Sequence, residues 1–241
     1  MMDPARRRAR DQLVAATLLV NALVFVLSRP AATAKGLHDL IGVVFLVAAL
    51  SFIARDDDDT ARYGVRLGGL FPGRAGDPRS LVRTLWEALP SALREVGVAL
   101  AIAAVVLPVY ALFWPLFNHP VAPRHFSLDA TRWREFFTEL LAIAFTEELL
   151  FRGFVQTRVA DALGVSPLTL ASPRAAIAKV LAITSALFAL THVVVDPTLA
   201  RAVVFFPGLL FGLLRVWRGG VGAAIALHAF SNLFERWLEG R

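Results

Sequence analysis

Between Val96 and Asn118 the chain reads VGVALAIAAVVLPVYALFWPLFN, a stretch without one charged side chain. A helix rises 1.5 Å per residue and needs ~20 apolar residues to cross a ~30 Å hydrocarbon core. The stretch therefore predicts a transmembrane rod, kinked where Pro108 withholds its N–H. The rest of the 241 residues agrees: 57% are hydrophobic and 18% charged, mean hydropathy is +0.62, and soluble domains carry roughly 45–50% apolar and ~25% charged residues. At ~20 residues each, about seven spans would absorb most of that apolar content. The fold class expected is all-α, a polytopic transmembrane helical bundle of about seven spans, within a range of roughly six to eight.

The chain has no cysteine. Disulfide scaffolds, thiolate zinc sites, iron–sulfur clusters and thiol nucleophiles are excluded together, so any catalysis uses oxygen and nitrogen groups. A net charge of +6 belongs, in a membrane protein, to cytoplasmic loops rather than to nucleic-acid binding. No nucleic-acid partner is expected.

Read along the chain, a first span lies between Asp11 and Arg29 and is ended by Pro30. A signal peptide is the rival reading, with Arg6, Arg7, Arg8 and Arg10 as its basic region and Ala32-Thr33-Ala34 as a cleavage site; the span is preferred because all that follows is also membrane-like. A second span covers about Leu37 to Ala54. A polar loop follows with Arg55, the run Asp56 to Asp59, Gly68, Gly69, Pro72, Gly73, Gly76 and Pro78. The aspartates lack the alternating spacing and glycine of a calcium loop and read as a solvated charge run. Leu81 to Leu93, with Arg83 and Trp86, reads as amphipathic and interfacial. After the Val96–Asn118 span comes a polar connector with Pro120, Pro123, Arg124 and Arg132, then helical segments near 136–160, 175–195, 199–217 and 219–238.

Two regions follow: residues 1–135, N-terminal transmembrane helices with a polar cytoplasmic loop at 55–87, and residues 136–241, a helical core that carries the chemistry. Orientation rests on basic residues in short loops. The N-terminal arginines, those of the 55–83 loop, and Arg158, Arg174, Arg215 and Arg218 fall on one side, which is expected to be cytoplasmic, with the C-terminal tail outside. The chain is expected to be multi-pass in the inner (cytoplasmic) membrane, with the lipid bilayer as its first partner.

The last four segments are apolar enough for lipid yet hold Glu139, Glu147, Glu148, Arg152, Lys179, His192, His228 and Asn232. Ionisable groups at membrane depth cost at least ~2.5–3.5 kcal/mol each on insertion scales. In LAIAFTEELLFRGFVQTR, Glu148 and Arg152 stand four apart and share a helix face, which leaves the adjacent Glu147 without a local partner. The bland reading is an interfacial helix end bearing a surface ion pair worth under about 1 kcal/mol. Against it stand two further polar sites in separate apolar helices: His192 at the end of VLAITSALFALTH, and His228 with Asn232 one turn apart in HAFSN. A lone helical histidine is more often a hydrogen-bonded core residue. Three helices with inward polar groups imply a shared cavity instead.

A carboxylate and an imidazole around one water can deprotonate it for attack on a carbonyl, while a second imidazole and an amide can donate to the developing oxyanion. That is equipment for amide hydrolysis. Ser185 and Ser231 lie in no nucleophile elbow, and neither H-E-x-x-H nor a P-loop occurs.

At these residues the chain resembles the CPBP family of intramembrane proteases, also called the CAAX protease, bacteriocin-processing or Abi family, over residues 136–235. The family's E-E-x-x-x-R motif corresponds to Glu147, Glu148 and Arg152, its F-x-x-x-H to Phe188 and His192, and its H-x-x-x-N to His228 and Asn232, in the family's order. The connector between the first two motifs, 153–187, with Pro167 and Pro173, is longer than the family pattern. The resemblance implies a glutamate-dependent endopeptidase: Glu147 as general base on water, His192 assisting it, His228 and Asn232 as oxyanion donors, and Glu148 with Arg152 orienting and balancing the base. No cofactor is expected. A divalent metal such as zinc, held by Glu147, His192 and His228, is the less favoured alternative. Family substrates are membrane-associated proteins or peptide precursors, and the alanine- and arginine-rich composition favours a membrane-anchored C-terminal helix, as in the myxosortase-like members, over a prenylated terminus. A non-enzymatic bacteriocin-immunity or membrane scaffold protein is the runner-up. A transporter ranks last, because polar clustering is confined to the C-terminal half and no inverted repeat is visible.

Overall fold

The computed structural model describes residues 3–37, 40–53, 57–65, 78–116 and 130–239. Helix α1 (Pro4–Leu27) starts where the Asp3 side chain accepts from the Ala5 N–H at 3.2 Å and Pro4 fills the first turn, a position that lacks an intrahelical acceptor anyway. The arginines ahead of Asp11 thus ride on α1 itself. Helix α2 is Leu40–Ile53. Helix α3 (Pro78–Phe113) joins the expected interfacial segment to the expected span in one rod containing Pro90 and Pro108. The residues between them, SALREVGVAL, supply no turn signal strong enough to end a helix.

Helix α4 is a continuous helical run with two wide stretches. It passes from Ala130–Thr138 through π-helical Glu139–Ala144, a single α turn at Phe145–Glu148, and π-helical Leu149–Val155 to Gln156–Leu163. Gly164 then ends it in the left-handed conformation (φ 71°). Helix α5 is Arg174–Val195. A short turn, Leu199–Ala202, leads into α6 (Phe205–Arg218), and α7 is Gly222–Leu238.

Among the described residues, seven helices of more than ten residues fall on the segments expected to be helical, and no strand occurs. Among the described residues, four stretches are long and apolar enough to cross a membrane: Pro4–Leu27, Trp86–Phe113, Arg174–Val195 and Leu199–Arg218. Helix α2 is apolar but shorter. Helix α4 carries Glu147, Glu148 and Arg152 at its centre, and α7 has Glu235 and Arg236 near its end. Outward faces are covered with large apolar side chains, Leu18, Val47, Val105, Leu112 and Phe206 among them. A continuous apolar exterior of this kind is what lipid contact requires, and the chain is a multi-pass membrane protein. Of the polar segments read from the sequence, Asp56, Gly68, Gly69, Pro72, Gly73, Gly76, Asn118, Pro120, Pro123 and Arg124 lie outside the described residues.

Two buried clusters hold the bundle. One joins α1, α2, α4 and α5 through Val20, Val24, Phe45, Ile53, Phe154 and Phe188. The other joins α3, α6 and α7 through Ala99, Ala103, Phe211, Leu214, Ala224 and Leu227. The polar residues of the second half lie along the seam between them.

The two ends of the bundle differ. At one, Arg62 pairs with Asp161 at 2.6 Å, Arg215 donates to the Arg62 carbonyl at 3.0 Å and Arg218 pairs with Glu95 at 2.7 Å. Gly64, at φ +75°, turns there in a space where a Cβ would strike the Arg215 guanidinium. At the other end, Arg29 at the close of α1 donates to the Val194 carbonyl of α5 at 3.0 Å.

Candidate active site

Helix α4 supplies two carboxylates that the single α turn Phe145–Glu148 separates in direction. Glu148 points into the seam and its side chain is 0% exposed, as is that of Arg152 one turn on, with 3.1 Å between Oε1 and Nη1. The expected i,i+4 pair is therefore present. It is a buried pair and not a surface one, so its desolvation must be offset by further partners. Those partners exist. The Glu148 Oε1 accepts from His228 Nδ1 at 2.8 Å. Arg152 Nη2 donates to the Gly208 carbonyl at 3.2 Å, and its guanidinium lies 4.3 Å from the Phe188 ring centroid and 5.3 Å from that of Phe211. Phe188 belongs to one core cluster and Phe211 to the other, so a cation between two aromatic faces bridges the halves of the bundle.

That bridge depends on close helix approach. A Cβ on Gly208 would lie 3.2 Å from Ser185 Oγ and 3.3 Å from Arg152 Nη2, and one on Gly212 would lie 2.7 Å from Leu181 Cδ2. One turn below Arg152, Gln156 Nε2 repeats the pattern by donating to the Gly212 carbonyl at 3.1 Å. The small-xxx-small spacing of Gly208 and Gly212 lets α6 come near enough for two side chains of α4 to reach its backbone.

Glu147 is the less buried carboxylate, 12% exposed, and its Oε2 stands 3.9 Å from both His192 Nε2 and His228 Nε2. Both imidazoles are fixed through their other nitrogen. His192 Nδ1 lies 3.0 Å from the Phe188 carbonyl, which can only accept, so Nδ1 carries the proton and Nε2 faces Glu147. His228 is held by Glu148, with its ring stacked on Phe211 at 5.0 Å and 17°. A separation of 3.9 Å is too long for a direct hydrogen bond and suits a bridging water or substrate oxygen.

Asn232 is placed differently. It extends from α7 one turn after His228, and its Nδ2 donates to Glu139 Oε2 at 3.0 Å. Glu139 also accepts from Arg236 Nε at 2.6 Å. The structure thus brings Glu147, Glu148, Arg152, His192 and His228 into one network, and ties Asn232 to an adjoining cluster with Glu139 and Arg236. Neither Arg236 nor the Gln156–Gly212 contact was anticipated from the sequence, and Glu139 was noted only as a charge at depth.

Among the described residues no three His, Asp or Glu side chains are arranged as a metal-ligand set. Two donors on one tetrahedral zinc lie about 3.3–3.4 Å apart, closer than the 3.9 Å from Glu147 to either histidine. A cavity of about 230 Å³ opens at the arginine-rich end, lined by Arg62, Thr157, Ser166 and Arg215. It meets the network only at Arg152, on the side away from Glu147.

Exposure falls from one side of the network to the other: 23% for His192, 12% for Glu147, and zero for Glu148 and Arg152. His192 lies one turn from the end of α5, near the Val194 carbonyl that receives Arg29. The more exposed members of the network, His192 and Glu147, therefore lie toward the end opposite the arginine cluster.

No curated protein and no solved structure matches the chain. A family model does: residues 130–234 match the family described as type II CAAX prenyl endopeptidase Rce1-like. The matched stretch begins with α4 and ends within α7, enclosing every residue of the network and the Glu139–Asn232 contact. Over residues 130–234 the chain is thus similar to the type II CAAX prenyl endopeptidase Rce1-like family.

Proposed function

We propose that the chain hydrolyses a peptide bond of a membrane-anchored precursor by a metal-free, glutamate-based mechanism. The observation that carries this reading is the Glu147 carboxylate, 3.9 Å from the Nε2 atoms of two histidines on two other helices. Water between Glu147 and His192 loses a proton to Glu147 and attacks the scissile carbonyl. The negative charge passes to the carbonyl oxygen, which His228 Nε2–H and the Asn232 amide stabilise. Collapse breaks the C–N bond, and Glu147 returns the proton to the leaving nitrogen, giving a carboxylic acid and an amine.

For Nε2 of His228 to donate, the ring must be protonated on both nitrogens, and the Glu148 carboxylate at 2.8 Å supports that form.

The access side supports a substrate class. The more exposed members of the network, Glu147 and His192, lie away from the end that holds Arg62, Arg158, Arg215 and Arg218, and the positive-inside rule makes that end cytoplasmic. A prenylated terminus reached from the cytoplasm would meet Arg152, on the side away from Glu147. A precursor whose membrane anchor presents its cleavage site at the outer surface of the inner membrane would meet Glu147. The test is quantitative membrane proteomics of cells carrying wild-type protein or Glu147→Gln. Uncleaved precursors with an outward-facing site beside an anchor should accumulate in the variant. An unchanged precursor population would favour the immunity or scaffold reading.

A further inference from the structure

The wide stretch Glu139–Ala144 changes which residues of α4 share a face. Two turns of α-helix take up about seven residues, and a π turn adds about one more. Glu139 and Glu147, eight apart, therefore stand in line along α4 where a regular helix would set them off by most of a right angle. Both meet α7: Glu147 faces His228, and Glu139 accepts from Asn232 and Arg236, which are themselves one helical turn apart.

Glu139 is a carboxylate with 3% of its side chain exposed, in an apolar stretch where an ionised group is costly. A hydrophobic residue would pin α4 to α7 at lower cost. An amide acting on an oxyanion has a need that packing does not meet. The terminal torsion of asparagine is broad and roughly two-fold, so the NH₂ and carbonyl ends exchange easily. A carboxylate only accepts, so the bond to Glu139 selects the NH₂ end, fixes the amide plane and strengthens it by charge assistance. The second N–H of that NH₂ then has a set direction. Arg236 at 2.6 Å balances the carboxylate, so its charge does not oppose the one that develops on the substrate.

We infer that Glu139 is a positioning residue for Asn232, holding its amide as an oxyanion donor, with Arg236 as counter-ion. The inference rests on the hydrolase reading and adds Glu139 and Arg236 to it.

The test uses the full-length protein in membranes and, as substrate, the epitope-tagged precursor that accumulates in Glu147→Gln cells. Cleavage is followed for wild type, Glu139→Gln, Glu139→Asp, Asn232→Ala and the double variant Glu139→Gln/Asn232→Ala. Glu139→Gln should lower kcat roughly 10- to 100-fold with KM within about twofold of wild type, because a neutral amide no longer selects one end of Asn232. Glu139→Asp should recover part of the rate. The double variant should be no slower than Asn232→Ala alone, since both act through one amide. Losses that multiply in the double variant, or Glu139→Gln at the wild-type rate while Asn232→Ala is slow, would overturn the positioning role and leave the hydrolase reading intact. Asn232→Ala at the wild-type rate would overturn the oxyanion role and Glu139 with it. If no precursor accumulates in Glu147→Gln cells, the hydrolase reading itself fails.

Discussion

Glu147 and Glu148 are neighbours in sequence and opposites in environment, and the difference predicts different phenotypes. Glu148 and Arg152 are fully buried, and Glu148 also holds His228. Replacing Glu148 by Gln leaves a buried guanidinium without its counter-charge, a change that costs about 3–5 kcal/mol in buried pairs. A clear fall in the unfolding temperature in detergent is expected. Glu147 has no such partner within hydrogen-bond distance, and Glu147→Gln should unfold within about 2 °C of wild type, the shift expected of a change below ~0.5 kcal/mol. Chelators provide a second residue-level test. With the proton accepted by Glu147 and no metal in the reaction, 1,10-phenanthroline should leave the cleavage rate within about twofold, and loss of activity restored by zinc would contradict the account. The pairing of Glu148 with Arg152 was legible as an i,i+4 spacing. The contact of Asn232 with Glu139 was not, because regular helical periodicity puts Glu139 on another face from Glu147 and the sequence carries no signal for a π turn. The available hint was a glutamate in an otherwise apolar stretch, read together with an arginine four residues after Asn232.

Helices α4 and α6 meet through Gly208 and Gly212, whose carbonyls receive Arg152 and Gln156. The two glycines should differ in their response to a side chain. At Gly212 the nearest atom to an added Cβ is the tip of Leu181, which can rotate away, while at Gly208 the neighbours are Ser185 and the Arg152 guanidinium itself. Gly208→Val should push α6 off Arg152, destabilising the protein by about 1–3 kcal/mol and lowering cleavage more than tenfold. Gly212→Ala should retain most activity. Thermal unfolding and precursor cleavage, measured on both variants, check this; equal effects would show that the approach at Gly208 is not what holds Arg152. Glycine and alanine around 208–224 are legible in the sequence as a place for close helix packing. It did not indicate that the glycines serve two polar side chains of α4, since that depends on the rotation of three helices about their axes. The same limit explains why Leu81–Leu93 read as separate from the following span: periodicity marked the change from amphipathic to apolar faces, and the backbone continued through it as α3.

At the scale of the whole molecule, one end gathers arginines, and His192 and Glu147, the more exposed members of the proposed catalytic network, lie toward the other. A reporter enzyme active only in the cytoplasm, fused at the N-terminus or inserted in the 66–77 segment, should be active at both positions. The same reporter in the 117–129 connector should be silent. An active reporter in that connector would reverse the orientation and move the expected substrate to the cytoplasmic side. The bundle class and its seven segments were legible because lipid imposes long uncharged stretches that need no tertiary knowledge to recognise. The convergence of Glu147, His192 and His228 was legible only as an economy argument, that ionisable groups at membrane depth need one another. Distances, access side and the seam between two core clusters come from packing. The central claim is that Glu147 is the base, and the most direct test is the single-turnover cleavage rate of purified Glu147→Gln, with unfolding temperature recorded on the same sample. A rate lower by about 10³-fold or more with an unchanged unfolding temperature is predicted; a rate within about threefold of wild type would contradict the account.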